Sequence, residues 1–293
     1  MPRSIALVSS AEARHHDTDL SYLVRAFGDR GIVADIIDWD DATTDWSQYE
    51  MAIIRSTWDY HRRYNEFLSW LDIVSKETVL RNSAEMIRWN TDKQYLSELV
   101  EAKIPVIPTL FISDVDDLTD LESSAMFTED IVVKPTISAG SNDTERHQGD
   151  AVRAVAHIRS LLDNGKVVMV QPYQRFIDDR GETGMLYFNG RFSHAFRKGA
   201  ILSSGDNVKN GLFVEEEITP RDASDQELEV GAKVMRFVRK KFGAAPLYAR
   251  VDLVRGSAGV PILMELEMAE PSFFLHTSLG SAERFAAAVI ARR

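Results

Sequence analysis

The sequence predicts an α/β fold that opens on a doubly wound parallel sheet and continues into α+β lobes. Three observations carry this expectation. Strand and helix signals alternate through the first third, Asn189-Gly190 sits between two β-rich runs, and the stretches 247–254 and 260–268 alternate apolar and polar residues around a glycine-containing turn.

Residues 4–9 form the first β-rich run. Across 19–30, Leu20, Leu23, Val24 and Phe27 recur at helical spacing, and Gly31 stops the helix. Residues 32–37 and 51–54 are again strands. In such a sheet ligands sit beyond the carboxyl ends of the strands. The segment Arg55, Ser56, Thr57, Trp58, Asp59, Tyr60 follows the third strand at one of those ends. It reads either as a loop anchored by aromatics or as a grip on a small zwitterion. In the second reading Arg55 meets a carboxylate and Asp59 an ammonium group, and we take that as the expectation.

A helix is expected over 90–102, capped by Asn90, with Tyr95, Leu96, Leu99 and Val100 on its buried stripe. Lys93 then falls in the first turn, where the helix dipole disfavours a cation unless an anion is bound. Residues 104–108 read as an extended linker. The strand 131–135 carries Lys134 near its end. Small residues after it, Ser138, Gly140 and Ser141 among them, allow a loop whose backbone N–H groups close over phosphate oxygens. The lysine precedes the loop, so this is not a Walker A sequence. A helix over 150–164 ends at Gly165, and the strand 167–171 leads into Pro172 and Tyr173. Asn189-Gly190 turns 185–188 back onto 191–196, and amphipathic helices follow over 222–242 and 281–292.

With 293 residues and 44% hydrophobic content, the chain can build two or three lobes with real cores. Its net charge of -11, with no run among its 34 Lys and Arg, argues against a nucleic-acid backbone as partner. The absence of cysteine excludes disulfides, thiolate metal sites and cysteine nucleophiles. Residues 1–10 are too short an apolar run for a signal peptide, and no stretch approaches the ~20 apolar residues of a membrane span. A cytoplasmic protein is expected, with no membrane partner, and a homo-oligomer is compatible with the sequence.

The second half of the site lies in the hairpin. Leu247, Ala249, Val251 and Leu253 share one face, with Arg250 and Asp252 opposite; Ile262, Met264, Leu266 and Met268 are expected on one face, with Glu265 and Glu267 opposite. If the two polar faces coincide, three carboxylates and a guanidinium converge. Carboxylates so crowded repel one another unless a cation neutralises them, and hard oxygen donors suit Mg²⁺ held with a phosphate. An ordinary half-solvated hairpin is the competing reading on these residues alone.

In order, the chain offers a lysine near a helix start, a strand lysine before a small-residue loop, a strand ending in a polar turn, and an Arg-x-Asp and Glu-x-Glu hairpin. That order resembles the ATP-grasp superfamily, in which two α+β lobes clamp ATP behind an N-terminal preATP-grasp domain, and the likeness spans nearly the whole chain. The resemblance implies units at 1–103, 104–175 and 176–293. It implies ATP and Mg²⁺ as cofactors, Lys93 and Lys134 on nucleotide phosphates, and Gln171, Pro172 and Tyr173 as a hinge beside the adenine. It further implies Mg²⁺ on Asp252, Glu265 and Glu267, and Arg250 on the transferring phosphoryl group. The usual Glu-x-Asn followed by Pro-Gly is replaced here by Glu265-Leu-Glu267-Met-Ala-Glu270-Pro-Ser272. Glu270 therefore competes with Glu267 for the last metal position.

The segment 55–60, taken with 265–275, is similar to the branch containing O-ureido-D-serine cyclo-ligase, which closes the D-cycloserine ring. This likeness implies a small amino-acid-like substrate against Arg55 to Tyr60, Glu270 and Ser272, activated as an acyl phosphate and closed by intramolecular nitrogen attack. The alternatives are an intermolecular ligase of the D-alanyl-D-alanine or glutathione-synthetase kind and a non-catalytic nucleotide-binding regulator. His276 is a minor candidate for acid–base work.

Overall fold

The computed structural model describes residues 4–116, 118, 125–200 and 217–293; positions 1–3 of the N-terminal run lie outside these. The first sheet is parallel, in the order β2 (Ala34–Asp38), β1 (Ser4–Ser9), β3 (Tyr49–Ser56), β4 (Val79–Arg81). Successive residues of β1 feed opposite faces. Ile5 and Leu7 pack with Leu20, Leu23 and Phe27 of α1 (Asp19–Gly28) and with Phe285 and Val289 of the C-terminal helix Ser281–Ile290. Ala6 and Val8 pack with Phe67, Trp70 and Val74 of α2 (Tyr64–Glu77). Cover on both faces is why β1 is continuously apolar from Ile5 to Val8.

The second sheet is antiparallel, ordered β5 (Leu110–Ile112), β8 (Val168–Pro172), β6 (Asp130–Pro135), β7 (Glu145–Gln148), with the helix Ala151–Asp163 behind it. The third, also antiparallel, runs β11 (Ile218–Arg221), β10 (Arg191–Lys198), β9 (Glu182–Phe188), β12 (Tyr248–Arg255), β13 (Pro261–Glu267). The helix Asp225–Phe242 covers this sheet, burying Val230, Val234 and Val238 against Ala249, Val251 and Leu253. Ser224 and Glu227 close its start as a capping box, and Gly243 ends it at φ 72°. At the β9–β10 turn Asn189 and Gly190 both take positive φ, 51° and 72°, as the expected hairpin turn requires. The α/β unit followed by α+β lobes is thus present.

Three local expectations are corrected. The helix over 90–102 is two helices, α3 (Ala84–Thr91) and α4 (Tyr95–Glu101), so Asn90 lies inside α3 and caps nothing. Its carboxamide instead donates to the Leu266 carbonyl at 2.7 Å and accepts from the Met268 N–H, and the Tyr95 hydroxyl serves both backbone groups of Leu266 at 2.8 Å. Edge strand β13 needs partners for those groups, and that need outweighs helix continuity. Lys93 consequently sits between the helices, just before the start of α4 rather than in the first turn of one long helix, with its N–H on the Thr136 carbonyl at 3.0 Å. The linker 104–108 also pairs along β13: Leu263 N–H donates to Pro105 at 2.7 Å and Ile107 N–H to Leu263 at 2.9 Å.

The third correction is a β-bulge. Asp252 pairs with Glu265, but Leu253 pairs with Leu263, so the register slips by one. Leu263 joins Leu266 and Met268 in the core, while Ile262 and Met264 turn to the other side beside Ile107, Ile177 and Val254.

One buried group couples this fold to pH. His194 is 5% exposed, with Nε2 2.9 Å from the Phe273 carbonyl, and burial holds its pKa down at about 4 against an ordinary 6.5. A depressed histidine pKa means that the unfolded chain takes the proton first as pH falls. Stability present above pH 6.5 should therefore be lost between 6.5 and 4, by about 3 kcal/mol. Urea unfolding across that window checks this, and His194→Gln should flatten the slope.

Candidate functional site

A cleft of about 720 Å³ lies where the three sheets meet. One end is apolar and is lined by Ile107, Val132, Pro172, Tyr173, Ile177 and Met264, with Gln171 and Gln174 among them. The bulge in β13 is what turns Met264 into this wall. Gln171 is held by its amide on Thr109 Oγ1 at 2.8 Å, and the Tyr173 ring stacks under Arg146, whose guanidinium carbon is 3.4 Å from its centroid. The expected hinge residues thus line one end together, and flat apolar surroundings with polar rims suit a purine.

The centre of the cleft is charged. Arg250 places Nε 2.9 Å from Asp252 Oδ1 and Nη2 2.9 Å from Oδ2, and also pairs with Glu267. Lys198 lies 3.6 Å from Asp252 and 3.4 Å from Glu182. Lys93 is 3.2 Å from Glu265 and donates to the Ser138 carbonyl at 2.9 Å, tying the small-residue loop to β13. That loop doubles back through positive φ at Gly140, Ser141 and Asp143, and Ser138, Gly140 and Ser141 all line the cleft.

Four cations, Lys93, Lys134, Lys198 and Arg250, thus face five carboxylates, Glu182, Asp252, Glu265, Glu267 and Glu270. The carboxylates expected to need a neutralising cation have protein cations beside them: Asp252, Glu265 and Glu267 each hold one. Burial alone would raise Glu265, yet Lys93, Lys134, Arg250 and Lys198 bring it down to about 2. Burial lifts Glu267 to about 8 despite Arg250, and Glu270 to about 7 despite Lys93. Among the described residues Lys134 alone of these cations makes no direct ion pair, and burial pushes its ammonium pKa down. An ammonium on the cleft wall that no carboxylate pairs is open to an anion such as a phosphate.

The other end lies beyond the carboxyl ends of β1 and β3, whose last serines, Ser9 and Ser56, touch at 2.8 Å. Trp58, Tyr60, Glu270 and Ser272 line it as expected, joined by His16, Thr18 and Phe274. Trp58 Nε1 donates to the Glu270 carbonyl at 3.0 Å, and Arg250 Nη1 to that of Ser272 at 3.2 Å.

Arg55, Ser56 and Asp59 are not on this wall, which corrects the expected zwitterion grip. Arg55 is fully buried, its guanidinium carbon 3.6 Å from the Phe273 ring centroid, and its Nη2 donates to the Pro271 carbonyl at 2.9 Å. Asp17 and Asp19 balance it at 4.0 and 3.8 Å. Asp19 in turn accepts the N–H groups of Phe273, Phe274 and Leu275 at 2.6, 3.0 and 2.8 Å. Asp59 accepts from Trp39 Nε1 at 3.0 Å and from Arg63 at 2.6 Å, so its charge is already met. His276 is exposed and away from the cleft.

Sequence reasoning missed Glu182, Lys198, His16 and Thr18. The register of the β9–β10 hairpin, counted from Asn189-Gly190, would pair Glu182 with Arg197; a bulge between Phe192 and His194 moves the partner to Lys198. His16 and Thr18 stand in the turn after β1 and carry no periodic signal.

The profile of the family described as D-cycloserine synthetase DcsG, N-terminal domain, matches residues 5–82. The chain is 37% identical over 295 residues to the cycloserine biosynthesis protein DcsG of Streptomyces lavendulae, covering 98% of each. It superposes on a crystal structure of D-cycloserine synthetase DcsG with a TM-score of 0.91 at 35% identity, over 98% of this chain and 99% of that one. A D-alanine–D-alanine ligase from Bacillus anthracis complexed with ATP shares the fold at a TM-score of 0.67 and 12% identity, covering 99% and 96%. The ATP-grasp ligase PsnB, complexed with a variant precursor, Mg and ADP, does so at 0.65 and 16%, covering 100% and 99%.

Proposed function

The chain belongs to the D-cycloserine synthetase DcsG family of ATP-grasp ligases, and on that premise we propose that it is an ATP-dependent cyclo-ligase acting on O-ureido-D-serine. In this reading a carboxylate of the substrate takes the γ-phosphoryl group of ATP, leaving ADP. The ureido nitrogen bonded to oxygen then attacks the acyl phosphate, giving up its proton, closing the ring and expelling phosphate; water removes the carbamoyl group left on that nitrogen as carbamate, which falls to carbon dioxide and ammonia. Phosphorylation is needed because a carboxylate repels nucleophiles and lacks a leaving group. The observation that carries the proposal is the cleft itself, in which an apolar slot, a cluster of cations and carboxylates, and a small end at the strand termini lie in one line.

We assign the adenine to Gln171, Pro172 and Tyr173 and the phosphates to Lys93, Lys134, Lys198 and the loop with Ser138, Gly140 and Ser141. Asp252, Glu265 and Glu267 fit Mg²⁺, since hard carboxylate oxygens on a rigid hairpin are its preferred donors, and Glu270 is the alternative to Glu267. When bound, Mg²⁺ would shield phosphate charge from these acids. Arg250 is already oriented by Asp252 and Glu267, so it can meet developing charge without reorganising. Trp58, Tyr60, Glu270 and Ser272, with His16 and Thr18, would enclose the substrate and keep water from the acyl phosphate. The units 1–103, 104–175 and 176–293 are kept as a proposed division; one sheet falls in each. Among the described residues no helix is long and apolar enough to cross a membrane, and we propose a cytoplasmic location and a small-molecule substrate.

Lys134→Ala should weaken ATP binding by about 10- to 100-fold, the loss of one charged contact of about 1.5–3 kcal/mol. Isothermal titration with Mg²⁺ and a non-hydrolysable ATP analogue checks this, and an unchanged affinity would remove Lys134 from the phosphate site. The function is tested by substrate-dependent ADP release. O-ureido-D-serine should suffice, with no added amine. An absolute need for a second amino acid would favour the dipeptide-type ligase, and ATP binding without turnover across an amino-acid panel would favour a regulator.

A further inference from the structure

Outside the cleft, three side chains of metal-ligating type converge where β7 meets the helix Ala151–Asp163. Glu145 and His147, two residues apart on β7, point the same way. His157 comes from the helix. His147 Nε2 lies 3.3 Å from His157 Nδ1 and 3.9 Å from Glu145 Oε2, and the ligand atoms of all three fall within 4.8 Å of one another. Donors held at ~2.0–2.1 Å around a tetrahedral zinc ion stand roughly 3.3–3.4 Å apart. The two imidazoles already have that spacing, and the carboxylate, 3.9 Å from His147 Nε2, must move inward to share it.

We propose that Glu145, His147 and His157 form a binding site for a borderline divalent cation, zinc in the first instance, that ties the end of the cleft loop to the helix behind it. The chemistry of the pair supports this. As it stands, the imidazoles can share one hydrogen bond, and the buried His147 Nδ1 has no partner at all. An ion in the gap would use one lone pair from each ring. His157 is oriented for it, because its ring also hydrogen-bonds to the Asp143 backbone, the outer contact that ligating histidines commonly make. Burial lowers the pKa of both imidazoles and so favours the neutral form, which is the one that binds metal. Two features limit the affinity. The proton of His147 must move to Nδ1, which has no acceptor, and Arg153, 3.2 Å from Glu145 Oε2, must give up that carboxylate. A modest, exchangeable site follows, rather than a permanent structural one.

The position gives the site a consequence. Glu145 directly follows Thr144, the last residue of the loop that brings Ser138, Gly140 and Ser141 to the cleft. A bound ion would restrain the loop from behind, some distance from the carboxylates assigned to Mg²⁺.

Zinc binding is measured on the full chain by competition with a chromophoric chelator in millimolar Mg²⁺, which occupies the cleft carboxylates. No thiol competes, since the chain has no cysteine. His157→Gln and His147→Gln should each weaken the zinc affinity at least about tenfold. Arg153→Gln should strengthen it by freeing Glu145, and Glu265→Gln should leave it unchanged. Should the buried His147 variant fail to fold, the half-buried His157 and the exposed Arg153 variants decide the matter. Hydrogen exchange over 141–149 should slow when zinc is added to the unmodified chain and not when it is added to His157→Gln. Equal zinc affinity in the unmodified chain and His157→Gln, or a loss caused by Glu265→Gln alone, would overturn the proposal and leave the pair as a hydrogen bond only. Neither result depends on ligase activity, so the test stands apart from the proposed function.

Discussion

Asp252→Asn should lower kcat/KM by at least about 10³, the loss of roughly 4 kcal/mol of transition-state stabilisation. Asp252 is 1% exposed and lies between Arg250 and Lys198, at the centre of the charge cluster. The amide keeps an oxygen to accept from Arg250, so the fold should survive, which a melting curve verifies. What is lost is a hard anionic donor and the charge that holds two cations in place. Steady-state kinetics at saturating Mg²⁺ and ATP decide the point. A variant within tenfold of the unmodified enzyme would place the metal and the phosphoryl transfer elsewhere.

Arg55→Ala should act on the fold before it acts on the substrate. The side chain is fully buried between Asp17 and Asp19 and spans to the Pro271 carbonyl. Removing it leaves two buried carboxylates without their cation, a loss of about 3–5 kcal/mol, which lowers the melting temperature of a chain this size by roughly 10 °C. Asp19 holds Phe273 to Leu275 by three N–H groups, so the damage should spread to the segment carrying Glu270 and Ser272 into the cleft. Thermal unfolding separates this from the role expected from the sequence. A normal melting temperature with only a raised substrate KM would restore Arg55 as a direct ligand.

Much of this site was legible in the residues because its parts stand on regular elements. Period-two alternation placed Arg250, Asp252, Glu265 and Glu267 on one face, and the Asn189-Gly190 turn located the neighbouring hairpin. Errors arose where tertiary demands override local pattern. Asn90 resembles a helix cap, but the unpaired edge of β13 claims its carboxamide. Bulges in β10 and β13 changed the register by one, hiding the Glu182–Lys198 pair and sending Met264 into the cleft. Arg55 and Asp59 looked like a zwitterion clamp because sequence shows charge and not depth; their partners, Asp17, Asp19 and Arg63, are brought to them only by folding.

The most direct test follows the oxygen atoms. O-ureido-D-serine labelled with ¹⁸O in its carboxylate is incubated with the protein, ATP and Mg²⁺, without any other amine, and the inorganic phosphate is analysed by mass. Activation as an acyl phosphate requires one labelled oxygen to leave with each phosphate, together with one ADP and one cyclic product. Unlabelled phosphate, or turnover only when a second amine is supplied, would contradict the account.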